Sequence, residues 1–433
     1  MKAAPVDQDS PGLLKNRNFV LLFSAQIVSL TGSGATTVGL ALFAHQLVGG
    51  ASAAATIGIA LMLRILAFLL FSQPAGILAD RYDRKRILIG ADLVRFGLMA
   101  LFPLIDQVWQ VYTLIFLINA VTAFFTPTYE SAIPEVAGQV HYVKALSLSR
   151  VAVDIEAVAA PAIAGALVVF LGLKWVFWFD AATYLISACL VAFATLPRAQ
   201  KSPAPFVMGA LARNLSFGTR LILRQWPLRR AVLLSFVEAT AGAAAIVATV
   251  IYVQDVLGYS ETSFALVMAT LGLGSTVTAL ILGTATGRYE SHARNREQLH
   301  GRRHRWAELA LLSGGVVLSA TLLPGALNPP IMVFALLWFL NGAGQALIAI
   351  PSSMLLAEHT LEEERGRAYA AHFALTHAFW LITYPAIGYG TSIAGAPMTF
   401  TAAGVVCLLI TVIVFATRRR ISDHEHAQGS ISG

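Results

Sequence analysis

The chain has 433 residues, of which 57% are hydrophobic and 12% charged, and its mean hydropathy is +0.70. Soluble globular domains carry about 25% charged residues, so lipid, not water, is the solvent for most of this chain. The formal charge of +7 would suit a nucleic-acid ligand, but the basic residues are sorted by membrane side instead of gathered in one patch, which excludes nucleic acid as a partner.

About 20 apolar residues cross a hydrocarbon core of roughly 30 Å. Twelve runs of that kind are predicted, at 19–43, 54–78, 87–105, 110–133, 147–171, 174–196, 230–255, 262–286, 306–324, 330–357, 367–391 and 396–416. The expected fold class is all-α integral membrane. The first 18 residues are polar, include Pro5 and Pro11, and lack the short apolar region and cleavage site of a secretory leader, so no cleaved signal peptide is expected. With the N-terminus taken as cytoplasmic, only Lys174 of the 30 Lys and Arg residues falls in an outer loop and only Arg64 sits deep within a span. The other 28 lie on or near the inner side, a positive-inside pattern that puts both termini in the cytoplasm of a bacterial-type inner membrane.

In chain order, the first span has a polar centre of Ser29, Thr31, Gly32, Ser33, Gly34, Thr36 and Thr37. Such residues either permit close helix packing or form a flexible midplane segment lining a pathway. Arg64 lies near the middle of the second span with no acid within four residues, so its partner must come from another helix, with Asp154, Glu156 and Glu238 the candidates. Asp92 has Arg95 one turn away, and local pairing is the simpler account. On the fifth span, Asp154 and Glu156 are 200° apart at 100° per residue and face opposite ways, whereas Asp154, Pro161 and Gly165 form one stripe. Charged groups at such depth cost about 2.5–3.5 kcal/mol on insertion scales and face the bundle interior. Asp154, with Arg150 or Arg64 as cation, is the favoured coupling carboxylate, ahead of Glu156.

Residues 197–229 interrupt the spans, with Pro203 and Pro205 followed by a basic stretch, Arg213 to Arg224, that reads as an amphipathic helix on the membrane surface. The expected organisation is a six-helix bundle over 1–196, a cytoplasmic linker over 197–229, a second six-helix bundle over 230–417 and a cytoplasmic tail over 418–433. In the second half, Glu238 lies about two turns into the seventh span, and Gly242 follows Gly34 by 208 residues. His372 and His377 differ by 140° around their helix and cannot chelate from one face, while His377 and Tyr384 share a face. His292, His300 and His304 lie among Arg294, Arg302, Arg303 and Arg305, which repel a cation. Cys189 and Cys407 each fall in an apolar span with no partner at metal-ligand spacing.

The halves echo one another: GILADRYD at Gly76 to Asp83 and GTATGRYE at Gly283 to Glu290 match in Gly, Arg, Tyr and an acid, 207 residues apart. Pro134 to Ser149 and Ala357 to Phe373 form a second pair of charged loops entering alanine-rich helices. A duplicated bundle of this kind holds its solute site near the midplane. GILADRYDRKR, Gly76 to Arg86, resembles the signature loop between helices 2 and 3 of the major facilitator superfamily, with Asp83 where the pattern has glycine, as in the drug:proton antiporter branch that includes macrolide and siderophore exporters. FWFDAATYLISA, Phe177 to Ala188, resembles the same branch, and Pro161 and Gly165 resemble its helix 5 motif. VWQVYTLIFLINA, KALSLSRVAVDIE and HAFWLITYPAIG resemble bacterial nickel-resistance exporters, a family that often ends in a histidine-rich tail where this chain has His424 and His426.

The resemblance implies two pseudo-symmetric six-helix bundles and a gate latch built from Gly76, Asp80, Arg81, Asp83, Arg84, Lys85 and Arg86. It also implies proton-coupled efflux of a small solute, a drug, a siderophore-like compound or a metal ion, by a protein that is expected to act as a monomer. A nickel or cobalt substrate would draw on His377, His372, Asp154 or Glu156. No GxxxxGK[ST] loop is present, so no cofactor is expected and an ion gradient, most simply protons, supplies the energy. A lipid flippase or a non-transporting receptor is the rival of another class. No compact Ser/His/Asp or HExxH arrangement supports an enzyme.

Overall fold

The computed structural model describes residues 13–196, 208–292 and 296–429. These form helices α1 (Arg17–Val48), α2 (Gly50–Arg81), α3 (Arg84–Leu101), α4 (Val108–Leu171), α5 (Lys174–Phe193), α6 (Met208–Arg224), α7 (Trp226–Val247), the short α8 (Thr249–Ile251), α9 (Glu261–His292), α10 (Arg296–Leu322), α11 (Ile331–Glu358) and α12 (Glu362–Gly429). Two of these helices are each a pair of crossings. Gly138 in α4 has φ 70° and Gly395 in α12 has φ 79°, a left-handed backbone that only glycine adopts without cost. At both points the chain turns back. Pro397 then starts the second limb of α12, where its missing N–H removes no helical bond.

Ten described helices or segments are long and apolar enough to cross a membrane, and the last of them, Arg367–Thr417, is 51 residues long. It holds two crossings. With the limb of α4 after Gly138 the total reaches twelve, in agreement with the sequence. Large apolar side chains such as Leu70, Leu266, Leu336 and Leu409 are more than half exposed on the outside, a surface stable only against lipid.

The chain divides into two compact units, residues 1–47 with 63–206, and residues 48–62 with 207–433. The boundary after residue 206 lies inside the segment that the sequence marks as a linker, and α6 packs with the second unit. In the first unit, Phe19, Leu22, Leu88, Ile133 and Val191 form a buried core at one end. In the second, Tyr252, Phe334, Trp338 and Phe400 pack together, Tyr252 stacked on Phe334 with ring centroids 4.6 Å apart and Trp338 edge-on to Phe400. The polar ends of these rings are satisfied: Tyr252 donates to the Gly325 carbonyl at 2.8 Å and the Trp338 indole to Thr249 Oγ1 at 3.1 Å. Residues 48–62 join this unit through close helix packing, where a Cβ at Gly58 would meet the Tyr384 carbonyl and one at Gly388 the Ala54 carbonyl.

Three crossings separate Lys174 from Arg302 provided that α6 lies on the surface. Reporters fused at these two positions are therefore expected on opposite faces of the membrane. Finding both on one face would mean that α6 crosses too, and the six-plus-six count would fail.

Candidate functional site

The polar centre of α1 is where the first unit gathers its buried charges. Small residues there leave notches that two neighbouring segments fill. A Cβ at Gly32 would collide with the Asp180 carboxylate and Thr183 of α5, and one at Gly34 with the Glu156 carboxylate and Ala160 of the second α4 limb. Asp180 is fully buried; the Thr36 hydroxyl donates to its Oδ2 at 2.6 Å and Thr183 to its backbone carbonyl at 2.7 Å. Arg64, from α2, donates to Thr37 Oγ1 at 3.0 Å. Its charge lies within electrostatic reach of both Glu156 and Asp180. Helix α1 thus seats one cation and two carboxylates brought by three other segments.

A second charged group sits beside it. Arg95 pairs with Asp92 one turn earlier on α3, as the spacing indicates, and Ser187 of α5 donates to Asp92 Oδ2 at 2.7 Å. The guanidinium of Arg95 also lies between the rings of Phe125 and Tyr184, 4.3 Å and 4.4 Å from their centroids. A buried pair of this kind depends on further polar contacts; here the Ser187 hydroxyl serves Asp92 and two ring faces flank the Arg95 guanidinium, while Arg95 Nε is left without a hydrogen-bond partner.

Arg95 forms one wall of a cavity of about 300 Å³ within the first unit, lined also by Gln26 and Ser29 of α1 and by Phe125, Tyr129 and Glu130 of α4. The rings of Phe125 and Tyr129 are stacked 6.1 Å apart, and the Tyr129 hydroxyl donates to Gln26 Oε1 at 2.7 Å. With Arg95 neutralised by Asp92, the acid left on the lining is Glu130. The cavity therefore offers aromatic and hydroxyl surface with one carboxylate.

The signature loop divides. Asp83 caps α3 by accepting from the Lys85 backbone N–H at 3.0 Å, and its contact with Arg86 at 3.8 Å is exposed and so contributes little. Lys85 Nζ donates to the carbonyls of Ala192 and Ala194 at 2.6 and 2.8 Å, a cation at the negative end of α5. Arg84 is buried. Gly76 and the side chains of Asp80, Arg81, Arg150, Asp154 and Pro161 lie outside the described residues. Gly165 is half-buried on the second α4 limb.

In the second unit, Glu238 is half-buried on α7, one turn before Gly242. A Cβ at Gly242 would meet the Trp380 indole of α12. Tyr384 is buried with its ring 5.0 Å from Trp380. His377 stacks on Phe373 and its Nδ1 lies 2.9 Å from the Phe373 carbonyl. Among the described residues no group of three or more His, Cys, Asp or Glu side chains could hold a metal ion. Sequence reasoning did not single out Asp180, Glu130 or Tyr129. The first two were open to the criterion applied to Arg64 and Glu156, an ionisable group inside an apolar run. Tyr129 carries no such signal, because its role depends on the cavity.

The family model described as Major Facilitator Superfamily matches residues 22–296 and 233–431. The MFS-type transporter YfiS of Bacillus subtilis (strain 168) is 24% identical over 367 residues, 82% of each chain. Macrolide efflux protein A of Streptococcus pyogenes is 26% identical over 185 residues, 42% of this chain and 45% of that protein. Among solved structures, a bacterial homolog of the human lysosomal transporter Spinster, inward-facing and unoccupied, superposes with a TM-score of 0.71 at 12% identity, covering 95% of this chain and 98% of its own. A mutant of the nucleoside transporter NupG gives 0.71 at 13% identity, covering 92% and 99%.

Two substitutions separate the roles of the buried partners. Thr36→Val removes a hydroxyl from a buried carboxylate and is expected to lower the thermal unfolding midpoint of the purified protein by the equivalent of about 1–2 kcal/mol. Arg95→Leu leaves Asp92 without its cation and is expected to cost more, about 3–5 kcal/mol. Equal midpoints for both variants and the wild type would remove these contacts from the stability of the unit.

Proposed function

Since the chain belongs to the Major Facilitator Superfamily, we propose that it is a proton-driven exporter that carries a small amphipathic solute across a bacterial-type inner membrane by alternating access, as a monomer with both termini in the cytoplasm. That it is a multi-pass membrane transporter and not an enzyme follows from the family itself. The finer reading is carried by one observation, the seating of Arg64, Glu156 and Asp180 around the polar centre of α1.

Proton coupling needs a carboxylate that is ionised in one state and protonated in another, and burial together with a neighbouring cation sets that balance. Glu156 has these conditions. It is half-buried, its cation Arg64 comes from a different helix, and a small relative movement of the two segments changes their separation. Asp180 is enclosed by hydroxyl donors from Thr36 and Thr183, and Arg64 lies within electrostatic reach of it as well. The sequence stripe favoured Asp154, which the test therefore includes. A proton moving down the membrane potential supplies about 2.3 kcal/mol per 100 mV.

The cavity beside Arg95 supports an amphipathic solute. Binding pockets of about 300–1,000 Å³ enclose drug-sized ligands, so this one suits a compact solute or the polar head of a larger one. Its stacked rings and hydroxyls fit an apolar body with a few polar groups, and Glu130 fits a cationic amine. Similarity to a macrolide efflux protein supports outward transport and makes a macrolide the first solute to test.

The test is flux from vesicles with an imposed pH gradient, run in parallel with a macrolide, an organic cation, nickel and a labelled lipid. Glu156→Gln is expected to abolish gradient-driven macrolide efflux while leaving macrolide binding intact. Wild-type flux in Glu156→Gln together with loss in Asp154→Asn would move coupling to Asp154. Flux of nickel or lipid alone would replace the solute class, and no flux of any kind would leave a receptor. Glu130→Gln is expected to weaken binding of a cationic solute by about tenfold, the effect of losing one charged contact of roughly 1.4 kcal/mol, and to leave a neutral solute unaffected.

A further inference from the structure

Helix α6 is amphipathic, and its two faces have different partners. One face packs on the start of α12. A Cβ at Gly218 would meet the Arg367 carbonyl and the Ala371 methyl, the Arg367 guanidinium lies 3.9 Å over the Phe217 ring, and Ile222 is fully buried. The opposite face, 200° around from Gly218 at 100° per residue, carries Arg220, with Arg224 one turn further on. Both arginines are exposed. Among the described residues neither makes an ion pair or a side-chain hydrogen bond. Beside them Leu223 is 49% exposed.

The next helix fixes the level of this face along the membrane normal. Gln225 is the single residue between α6 and α7, and the apolar span of α7 begins at Trp226. Gln225 Nε2 donates to the His359 carbonyl at 3.0 Å, tying this corner to the end of α11. Arg224 therefore stands at the mouth of a span, and Arg229, exposed and 3.9 Å over the Trp226 ring, stands one turn inside it. Interfacial Trp and Arg at a span end mark the head-group layer. A helix with two unpaired cations and an exposed leucine at that level faces lipid phosphate on its charged side and acyl chain beside the leucine.

We propose that the outward face of α6, built from Arg220, Arg224 and Leu223, is a binding site for the phosphate head group of an anionic phospholipid. Two guanidinium groups one turn apart can share a phosphate, and guanidinium is suited to phosphate by its fork of donors. Occupancy steadies α6 against the first turns of α12, the limb that carries His377, Trp380 and Tyr384. The site thus gives the membrane's charge a route to that limb, whatever solute or ion the protein moves.

The test uses the full chain released from nanodiscs of phosphatidylglycerol and phosphatidylcholine, with retained lipid counted by native mass spectrometry. The wild type is expected to retain phosphatidylglycerol over phosphatidylcholine. Arg220→Gln with Arg224→Gln is expected to weaken that retention about 25-fold, since each cation at an anionic surface contributes about fivefold. Lys15→Gln with Arg17→Gln removes the same charge elsewhere and is expected to retain lipid normally, and Arg220→Lys with Arg224→Lys to retain it in part. Equal loss in the Lys15 and Arg17 variant would reduce the effect to net charge and overturn the site. So would unchanged retention in the Gln variant. Displacement of the lipid by millimolar inorganic phosphate would also overturn the lipid assignment in favour of a general anion site.

Discussion

A charge inside a lipid-embedded bundle has to find its partner within the protein, because the hydrocarbon supplies neither water nor counter-ion. In the first unit that requirement converges on α1. Gly32 and Gly34 remove the side chains that would keep Asp180 and Glu156 away, and Thr36 and Thr37 supply hydroxyls to Asp180 and Arg64. The sequence leaves two readings for this stretch, close packing or a flexible segment lining a pathway, and the structure shows the close packing. The helices approach closely there so that charges can be seated. The positions of α2, α5 and the second limb of α4 follow from that seat, with the neutralised Asp92–Arg95 pair next to it.

How much of this was legible depends on where each partner lies along the chain. The spans and their number are set by composition within about 20 residues, and these were read correctly. So was the Asp92–Arg95 pair, three residues apart on one helix. The partner of Asp180 is Thr36, 144 residues away, and no local pattern encodes it. Arg64 is intermediate. Its need for a partner from another helix was evident from the absence of a nearby acid, while the identity of that partner required the fold. Glu130 was open to the criterion applied to Arg64, an ionisable group inside an apolar run, but its place on the cavity lining required the fold.

The signature loop shows how one stretch of sequence serves local structure and topology together. Its basic residues read as a positive-inside signal, and they also build the bundle. Lys85 closes the carbonyl end of α5, and Asp83 starts α3 by capping it. Asp83 stands where the family pattern has glycine, and capping accounts for an acid there, since a side-chain oxygen can satisfy an N–H at a helix start that glycine leaves to water. Any gating role of this loop is therefore superimposed on residues that the fold already needs.

The two units reuse one notch for different chemistry. Gly34 and Gly242 occupy corresponding places in the repeat, 208 residues apart, and each is covered by the fifth crossing of its own half. Glu156 on α4 covers Gly34, and Trp380 on α12 covers Gly242. A carboxylate in one half thus corresponds to an indole in the other. Around the first lie Arg64, Thr37 and Asp180; around the second lie Tyr384 and the pair of Phe236 and Phe379, whose centroids are 5.3 Å apart. Duplication supplies the same backbone approach twice, because a glycine facing the fifth crossing suffices to make it. Once the approach exists, the group that fills it can change without moving a helix, so a carboxylate can stand at one notch and an indole at the other.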